Sequence, residues 1–241
     1  TMARTLVFTA TFNERENVEA WIEGVSQSCP DADLLVIDDS SPDGTGDLLD
    51  DLSRKYQALT VVHRPEKSGL ASAHLAAMRY AQEDGYEYLV TMDADGSHQP
   101  WQIPHLLEVS DSFDFIIGSR YHGGSHRASM LRRVLSWGAN SAARTMLPTG
   151  LTEYTTSFRV LNENARQVVL SASLRDDGYA FFLEVVEAIH QSGLLMAEIP
   201  IIFIDRVHGS SKIPRTQILT SMRVLIELWR QRIRSRNVAE A

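Results

Sequence analysis

The sequence places two acidic residues directly after an apolar run, in the stretch Tyr88-Leu89-Val90-Thr91-Met92-Asp93-Ala94-Asp95. A short apolar run without polar interruption is typical of a strand that is buried on both faces of a parallel sheet. In open sheets of this kind, ligands bind beyond the carboxyl ends of the strands. The stretch therefore predicts an α/β fold and a candidate site at the end of this strand.

Comparable runs on either side of this stretch alternate with helix-like segments. The β-rich runs are Leu6–Thr9, Leu34–Ile37, Thr60–Val62 and Phe113–Ile117. Their spacing predicts βαβ units, in which helices cover a mostly parallel central sheet.

Local signals predict where helices and loops lie between the strands. Asn13, followed three residues later by Glu16, predicts a helix start, and Gly69 predicts a helix over 70–81. The run Gly123-Gly124-Ser125-His126 predicts a mobile loop.

Length and composition indicate an ordinary globular chain. It has 241 residues, of which 44% are apolar and 22% are charged. No apolar run approaches the ~18 residues that a spanning helix needs, and the first residues show no signal-peptide pattern. Cys29 is the single cysteine, which leaves no internal disulfide. We therefore expect a cytoplasmic protein that does not cross a membrane, and we expect no nucleic-acid partner.

The formal net charge of -8 is unevenly distributed. Acidic residues dominate residues 1–120, whereas Lys and Arg outnumber acids in residues 121–241. An acidic half suits metal chelation, and a basic half suits phosphate or an anionic surface. The alternative is that solvated faces happen to segregate.

Two acidic pairs follow strand-like runs. Asp93 and Asp95 can converge on one hard divalent cation and leave coordination positions for diphosphate oxygens. Asp38 and Asp39 can accept hydrogen bonds from a nucleobase or a ribose hydroxyl. A structural interpretation stays open for both pairs, because loop acids, helix caps and Asx-turns produce the same patterns.

The C-terminal segment has the pattern of a basic amphipathic helix. Its apolar residues recur at helical spacing, at Ile218, Leu219, Met222, Leu225, Ile226, Trp229 and Ile233. Arginines occupy other positions, and Glu227 is the single acid in residues 212–236. Such a helix can lie in an anionic lipid interface or pack on the domain or on a second subunit. We divide the chain into a globular domain, residues 1–212, and a helical tail, residues 213–241.

A series of motifs together resembles the dolichol-phosphate mannose synthases. They are Thr11-Phe12-Asn13-Glu14-Arg15-Glu16-Asn17, Asp38-Asp39-Ser40-Ser41-Pro42-Asp43-Gly44-Thr45, Lys67-Ser68-Gly69-Leu70, Met92-Asp93-Ala94-Asp95-Gly96-Ser97-His98, Gly118-Ser119-Arg120-Tyr121, Gly138-Ala139-Asn140, Ser157-Phe158-Arg159 and Asp205-Arg206-Val207-His208-Gly209-Ser210-Ser211-Lys212. The resemblance spans about residues 5–215. It is a resemblance to the polyprenyl-phosphate branch of the family 2 glycosyltransferases.

The resemblance implies a fold and an activity. The implied fold is the GT-A type, a Rossmann-like sandwich with a mostly parallel central sheet. The implied reaction moves a hexose, mannose from GDP-mannose, with inversion onto a polyprenyl phosphate. It implies Mg²⁺ or Mn²⁺ as cofactor and a location peripheral to the cytoplasmic membrane.

The resemblance also implies residue roles. Asp93 and Asp95 match the metal ligands, and Asp95, Arg206 and Lys212 match catalytic positions that act on the donor phosphates. The donor-binding residues would be Thr11, Glu14, Asp38, Asp39, Lys67 and Asp93. Arg120, Arg132 and Ser136 match positions that hold the acceptor phosphate.

Other readings of the same residues remain open. The donor could be a UDP-sugar, or the acceptor a hydroxyl compound that needs a carboxylate base such as Asp176, Asp177 or Glu184. From other classes, a nucleotidyltransferase also places paired aspartates after a strand, and a noncatalytic scaffold recruited to membranes would need neither acid.

Overall fold

The computed structural model describes residues 3–127, 130–147, 149–175, 178, 180–205 and 215–239. Within those ranges, residues 131, 132, 215–219 and 235–239 are described by their backbone alone.

Strands and helices alternate along most of the chain. The strands are β1 (Thr5–Thr11), β2 (Asp33–Asp38), β3 (Leu59–His63), β4 (Tyr88–Thr91), β5 (Phe115–Ser119), β6 (Ser125–Arg127), β7 (Arg159–Asn162), β8 (Met196–Pro200) and β9 (Ile202–Ile204). The α-helices are α1 (Val18–Ser28), α2 (Thr45–Lys55), α3 (Leu70–Glu83), α4 (Ile103–Leu107), α5 (Met130–Met146), α6 (Glu163–Ser171), α7 (Ala180–Gln191) and α8 (Arg215–Ala239). A 3₁₀ turn at Pro100–Gln102 precedes α4.

Seven strands form the central sheet, in the order β3-β2-β1-β4-β7-β5-β8. All neighbours in it are parallel except β7, which runs antiparallel to β4 and β5. Strands β6 and β9 form a separate parallel pair. The predicted α/β fold with a mostly parallel central sheet is confirmed.

Apolar cores lie on both faces of the sheet, because successive strand residues point to opposite sides. In β1, Leu6 and Phe8 face a core that includes residues of α3, α6 and α7. The alternate residue Val7 faces a second core with residues of α1, α2 and α4. Burial on both faces explains why β2, β4 and β5 contain apolar runs with little polar interruption.

The predicted helix start at Asn13 is wrong. Helix α1 begins at Val18 with Asn17 as N-cap, and Asn13 has a left-handed φ of 58°. The backbone N–H of Asn13 donates to Ser41 Oγ at 2.9 Å. The β1–α1 connection is thus held by the β2–α2 loop, which a local capping signal does not reveal.

The predicted loop at Gly123–His126 is also wrong in part. Residues Ser125–Arg127 form β6, and Ser125 donates its backbone N–H to Ile201 at 2.8 Å. The preceding Gly124 passes so near Ser119 that a Cβ would lie 2.1 Å from its carbonyl oxygen. Glycine here therefore permits a close backbone approach.

The C-terminal helix packs on the domain through one face. Val224, Leu225 and Leu228 are buried in the core that includes α7. An ion pair joins Arg232 Nη1 to Glu187 Oε2 at 3.2 Å. The packing alternative therefore holds for this face, whereas the division into residues 1–212 and 213–241 stays a prediction. Across the residues described, no helix combines the length and apolar character needed to cross a membrane.

Candidate active site

The ends of β1 and β2 hold a buried carboxylate. Thr11 pairs with Asp38 in the parallel register, and Thr11 Oγ1 donates to Asp38 Oδ1 at 2.8 Å. Asp38 Oδ2 also accepts the backbone N–H of Ser41 at 3.0 Å. The structural interpretation of Asp38 as a turn-forming residue is thus confirmed, and its predicted donor contact stays a prediction.

Asp39 is held by an arginine that the sequence analysis missed. Arg64 forms a buried ion pair with Asp39 through Nε and Nη2. Its Nη1 donates to Ser72 Oγ at 2.6 Å, and its Nη2 donates to the Gly69 carbonyl at 3.0 Å. Arg64 directly follows β3, so its position after a strand of the sheet was the signal that could have identified it.

Glu14 and Lys67 lie beside these strand ends. The backbone N–H of Glu14 donates to Thr45 Oγ1 at 3.1 Å, and Glu14 Oε2 accepts from Asn17 Nδ2 at 2.7 Å. Lys67 Nζ lies 3.8 Å from the ring centroid of Phe12, which is a cation–π contact. The predicted donor-binding residues therefore gather around the ends of β1 and β2.

Asp93 and Asp95 lie on the loop that follows β4. Asp93 Oδ1 accepts a hydrogen bond from Ser157 Oγ at 2.6 Å, and the Asp93 side chain is 41% exposed. Asp95 is buried, and its Oδ1 accepts the backbone N–H of Ser97 at 3.0 Å. One acid is therefore accessible, while the other is fixed by its own loop.

His98 supports this acidic loop through hydrogen bonds. Its Nδ1 accepts the backbone N–H of Asp93 at 3.1 Å, which makes Nε2 the protonated nitrogen that donates to Thr156 Oγ1 at 3.1 Å. Burial lowers the pKa of His98, although Asp93 and Asp95 oppose that shift. The neutral imidazole therefore acts as a hydrogen-bonding support for the acidic loop.

The acidic loop carries oxygen ligands that suit a partly open metal site. In the described part of the chain, no three His, Cys, Asp or Glu side chains form a group that could enclose a metal ion. Two carboxylates on one loop suit a hard cation that takes its other oxygen ligands from a diphosphate and water. The residues present therefore fit Mg²⁺ or Mn²⁺ shared with a nucleotide.

Arg120 forms a two-point ion pair with Glu153. Arg120 Nε donates to Glu153 Oε2 at 2.7 Å, and Nη2 donates to Oε1 at 2.8 Å. Burial would raise the pKa of Glu153, but the charge and hydrogen bonds of Arg120 outweigh it and lower that pKa to about 2. The pair is therefore ionised, and Glu153 is a residue that the sequence analysis did not single out as functional.

A cleft of about 720 Å³ lies beside Arg120. One part of its lining is basic and contains Arg120, Arg127 and Arg133. Another part is apolar and comes from helix α5, where Met130 is 81% exposed and Trp137 is 63% exposed. The cleft therefore offers cationic and apolar surfaces side by side.

Of the other predicted acceptor residues, Ser136 lies next to this cleft. Ser136 Oγ accepts from the hydroxyl of Tyr121, a lining residue, at 2.7 Å. Arg132 lies in α5, but its side chain is outside the described part of the structure. Sequence reasoning did not identify Arg127 and Arg133 as lining residues.

The remaining predicted residues divide into two groups. Glu184 is buried; its Oε2 accepts the backbone N–H of Arg175 at 2.9 Å, and its Oε1 forms an ion pair with Arg175 Nε at 3.4 Å. Asp176, Asp177, Arg206 and Lys212 lie outside the described residues.

Comparison with solved structures shows the class of this fold. Glucosyl-3-phosphoglycerate synthase from Mycobacterium tuberculosis, in complex with Mn²⁺, UDP and phosphoglyceric acid, matches with a TM-score of 0.69 and 17% identity, over 95% of this chain and 79% of that one. A mannosyltransferase from Pyrobaculum calidifontis, in complex with GDP-Man and Mn²⁺, matches with a TM-score of 0.59 and 16% identity, over 86% and 58% of the two chains. The architecture is that of the GT-A glycosyltransferases.

Sequence comparisons show the family. Residues 6–169 match the family model described as glycosyl transferase family 2. An undecaprenyl-phosphate mannosyltransferase from Micrococcus luteus is 36% identical over 87% of each chain. A polyprenol monophosphomannose synthase from Mycolicibacterium smegmatis is 38% identical over 91% of this chain and 84% of its own. The chain belongs to glycosyl transferase family 2 and is a glycosyltransferase, which decides against the nucleotidyltransferase and scaffold readings.

Proposed function

We propose that this protein transfers a mannosyl group from GDP-mannose, with inversion, to the phosphate of a polyprenyl phosphate at the cytoplasmic face of a membrane. The observation that carries the proposal is the mixed lining of the cleft, where three arginines adjoin Met130 and Trp137. A lipid phosphate has the same two parts, an anion and a hydrocarbon chain. The names of the two relatives described above support the same acceptor.

The chemistry of a phosphate acceptor suits this site. A phosphate monoester has a second pKa near ~6, so it is largely a dianion at neutral pH and needs no general base. Its oxygen attacks the anomeric carbon, while the bond from that carbon to the diphosphate breaks and the nucleoside diphosphate leaves with the electron pair. Glu153 and Glu184 are both held by arginines, which favours a reaction without a carboxylate base.

The donor would lie across the ends of β1, β2 and β4. We assign its nucleoside to Thr11, Glu14, Asp38, Asp39 and Lys67, which gather there in the fold. We assign its diphosphate to the loop of Asp93 and Asp95, which would hold Mg²⁺ or Mn²⁺; such a cation would stabilise the charge on the leaving group. In the same proposal, Arg206 and Lys212, which lie outside the described residues, act on the donor phosphates.

Two exposed apolar faces support a membrane-surface location. Helix α5 exposes Met130 and Trp137 at the cleft, so an acceptor could enter from lipid. Helix α8 exposes residues at helical spacing on the face that turns away from α7, namely Met222, Ile226, Trp229 and Ile233. Exposed arginines flank this second face at Arg223, Arg230 and Arg234. An apolar stripe with cations along one side is a composition that binds an anionic interface.

The direct test measures transfer from each of two donors. Labelled GDP-mannose or UDP-glucose is incubated with undecaprenyl phosphate and Mn²⁺, and the organic phase is extracted. We expect a labelled mannolipid and release of GDP. A labelled glucolipid would support the UDP-sugar reading instead, and label that stays entirely in the aqueous phase with both donors would refute a lipid acceptor.

A further inference from the structure

Five successive residues, Glu153 to Ser157, contact both halves of the proposed site. On one side, Glu153 and Thr155 bind the guanidinium of Arg120, with Thr155 Oγ1 at 2.8 Å from Nη2. On the other side, Thr156 accepts from His98 at 3.1 Å and Ser157 donates to Asp93 at 2.6 Å. We call residues 153–157 the bridge, because four of their side chains connect the arginine of the cleft to the acidic loop and its supporting histidine.

The backbone of the bridge is fixed from two directions. Asn140 of α5 accepts the backbone N–H of Tyr154 through Oδ1 at 2.8 Å. Buried Arg159 donates to the carbonyl of Tyr154 at 2.7 Å and to that of Thr156 at 2.8 Å. Because Asn140 and Arg159 are both buried, the backbone of the bridge is held in one position between the two halves of the site.

Glu153 determines how Arg120 is presented to the cleft. A guanidinium has five N–H donors in a fixed plane. Glu153 occupies the edge formed by Nε and Nη2, so Nη1 carries the donors that the described residues leave for a ligand. The pair of Arg120 and Glu153 is neutral overall, so Arg120 contributes oriented N–H donors. The net positive charge of the cleft comes from Arg127 and Arg133.

The two halves of the site also interact through their charges. Burial acts to lower the pKa of Arg120, and Glu153 and Asp93 are among the groups that raise it. The cleft arginine and the exposed acid of the β4 loop are therefore close enough for each to affect the other.

We propose that Glu153 is a positioning residue for the acceptor phosphate, acting through Arg120, and that the bridge couples this phosphate to the Asp93 loop. This inference rests on the proposed function. In this proposal Glu153 does not touch the acceptor. It holds the guanidinium of Arg120 in place, and Ser157 holds the carboxylate of Asp93 in place.

The test separates acceptor kinetics from donor kinetics. In Glu153→Gln we expect the KM for undecaprenyl phosphate to rise about tenfold or more, while the KM for GDP-mannose changes less than about twofold. The conservative Glu153→Asp should recover part of the loss. A matched control is Glu163→Gln on α6, a surface carboxylate that contacts Gln82, and it should leave both constants unchanged.

A second variant covers the case in which Glu153→Gln unfolds. Thr155→Val keeps the ion pair but removes the hydroxyl that accepts from Arg120, and we expect a smaller rise, about threefold, in the acceptor KM alone. Equal changes in both KM values, or none in either variant, would overturn the positioning role.

The coupling is tested with the double variant Thr155→Val/Ser157→Ala. If the bridge couples the two halves of the site, the combined loss in kcat/KM should differ from the product of the two single losses by about threefold or more. A combined loss equal to that product would refute coupling. Wild-type protein that makes no mannolipid would refute the proposed function itself, whereas an active wild type with unaffected variants would refute only this inference.

Discussion

The hydroxyl of Ser157 lies 2.6 Å from Oδ1 of Asp93, although the two residues are 64 positions apart in the chain. This hydrogen bond joins the loop after β4 to the segment before β7. Because β7 is the one antiparallel strand of the sheet, its N-terminal end lies at the edge where the parallel strands β4 and β5 end. The reversed strand thus brings polar side chains to the acidic loop that a purely parallel sheet would not supply.

The first prediction concerns the buried acid of the metal site. We expect Asp95→Asn to abolish mannosyl transfer, because it removes a charge that would hold the cation while Ser97 can still bind the amide oxygen. The assay is labelled product formation with Mn²⁺ present. The control is Asp51→Asn, at an exposed partner of Arg54 on α2. Activity above about a tenth of wild type would contradict the metal assignment.

The second prediction concerns Arg64. We expect Arg64→Ala to weaken GDP-mannose binding about tenfold, because Asp39 would lose its ion pair and the Gly69 and Ser72 contacts would be lost with it. Isothermal titration calorimetry measures the Kd. Arg54→Ala, at an arginine exposed on α2, serves as the matched control. Wild-type affinity in Arg64→Ala would show that the ion pair of Arg64 with Asp39 does not contribute to nucleotide binding.

The third prediction distinguishes the two faces of α8. We expect Ile226→Ser/Trp229→Ser to weaken binding to vesicles of anionic lipid without lowering the melting temperature, because both side chains are exposed. Buried Leu225→Ala should do the reverse and lower the free energy of unfolding by about 2–5 kcal/mol. Co-sedimentation with vesicles and thermal melting supply the two measurements. Unchanged sedimentation of the first variant would remove α8 from the proposed membrane contact.

The fourth prediction concerns stability against acid. Burial first, and then the charge of Arg159, lower the pKa of His74 from 6.5 to about 3. Its ring packs edge-on against Phe8 at 5.2 Å and Phe182 at 5.1 Å between ring centroids. Below pH 6.5 the unfolded chain binds a proton at His74, whereas the folded protein keeps the ring neutral. The contribution of neutral His74 to stability is therefore complete above pH 6.5 and is lost as the pH falls toward about 3.

Comparison of wild type with His74→Phe tests that assignment. Within this pH range the difference between their unfolding free energies should change by about 1.4 kcal/mol for each pH unit, in favour of the variant at low pH. Urea unfolding at a series of pH values measures it. A pH-independent difference for His74→Phe would show that this imidazole is charged in the folded state.

The sequence predicted the features that depend on neighbouring residues. Apolar runs identified β1, β2, β4 and β5, because burial on both faces leaves no polar alternation in them, and Gly69 identified the start of α3. The acidic loop of Asp93 and Asp95 was found for the same reason, since its position depends only on the strand before it. Strands β6 to β9 were not predicted.

Features that depend on distant partners were not predictable in this way. The start of α1 shifted to Val18 because Ser41 holds Asn13 from another loop. The partnership of Glu153 with Arg120 joins positions 33 apart, and nothing local to either residue indicates it. Arg64 likewise acquires its role only when β2 and β3 lie side by side.

Helix α8 has one buried face and one exposed apolar face, and this affects how the protein would be held at a bilayer. Its inner residues are built into the same core as α7, while its outer stripe of Met222, Ile226, Trp229 and Ile233 is open to the surroundings. A bilayer that takes up the outer stripe would therefore also fix the height of α7, and of the core it shares with α8, above the lipid headgroups. The depth at which an incoming lipid meets the arginines would then be fixed by the shape of the molecule.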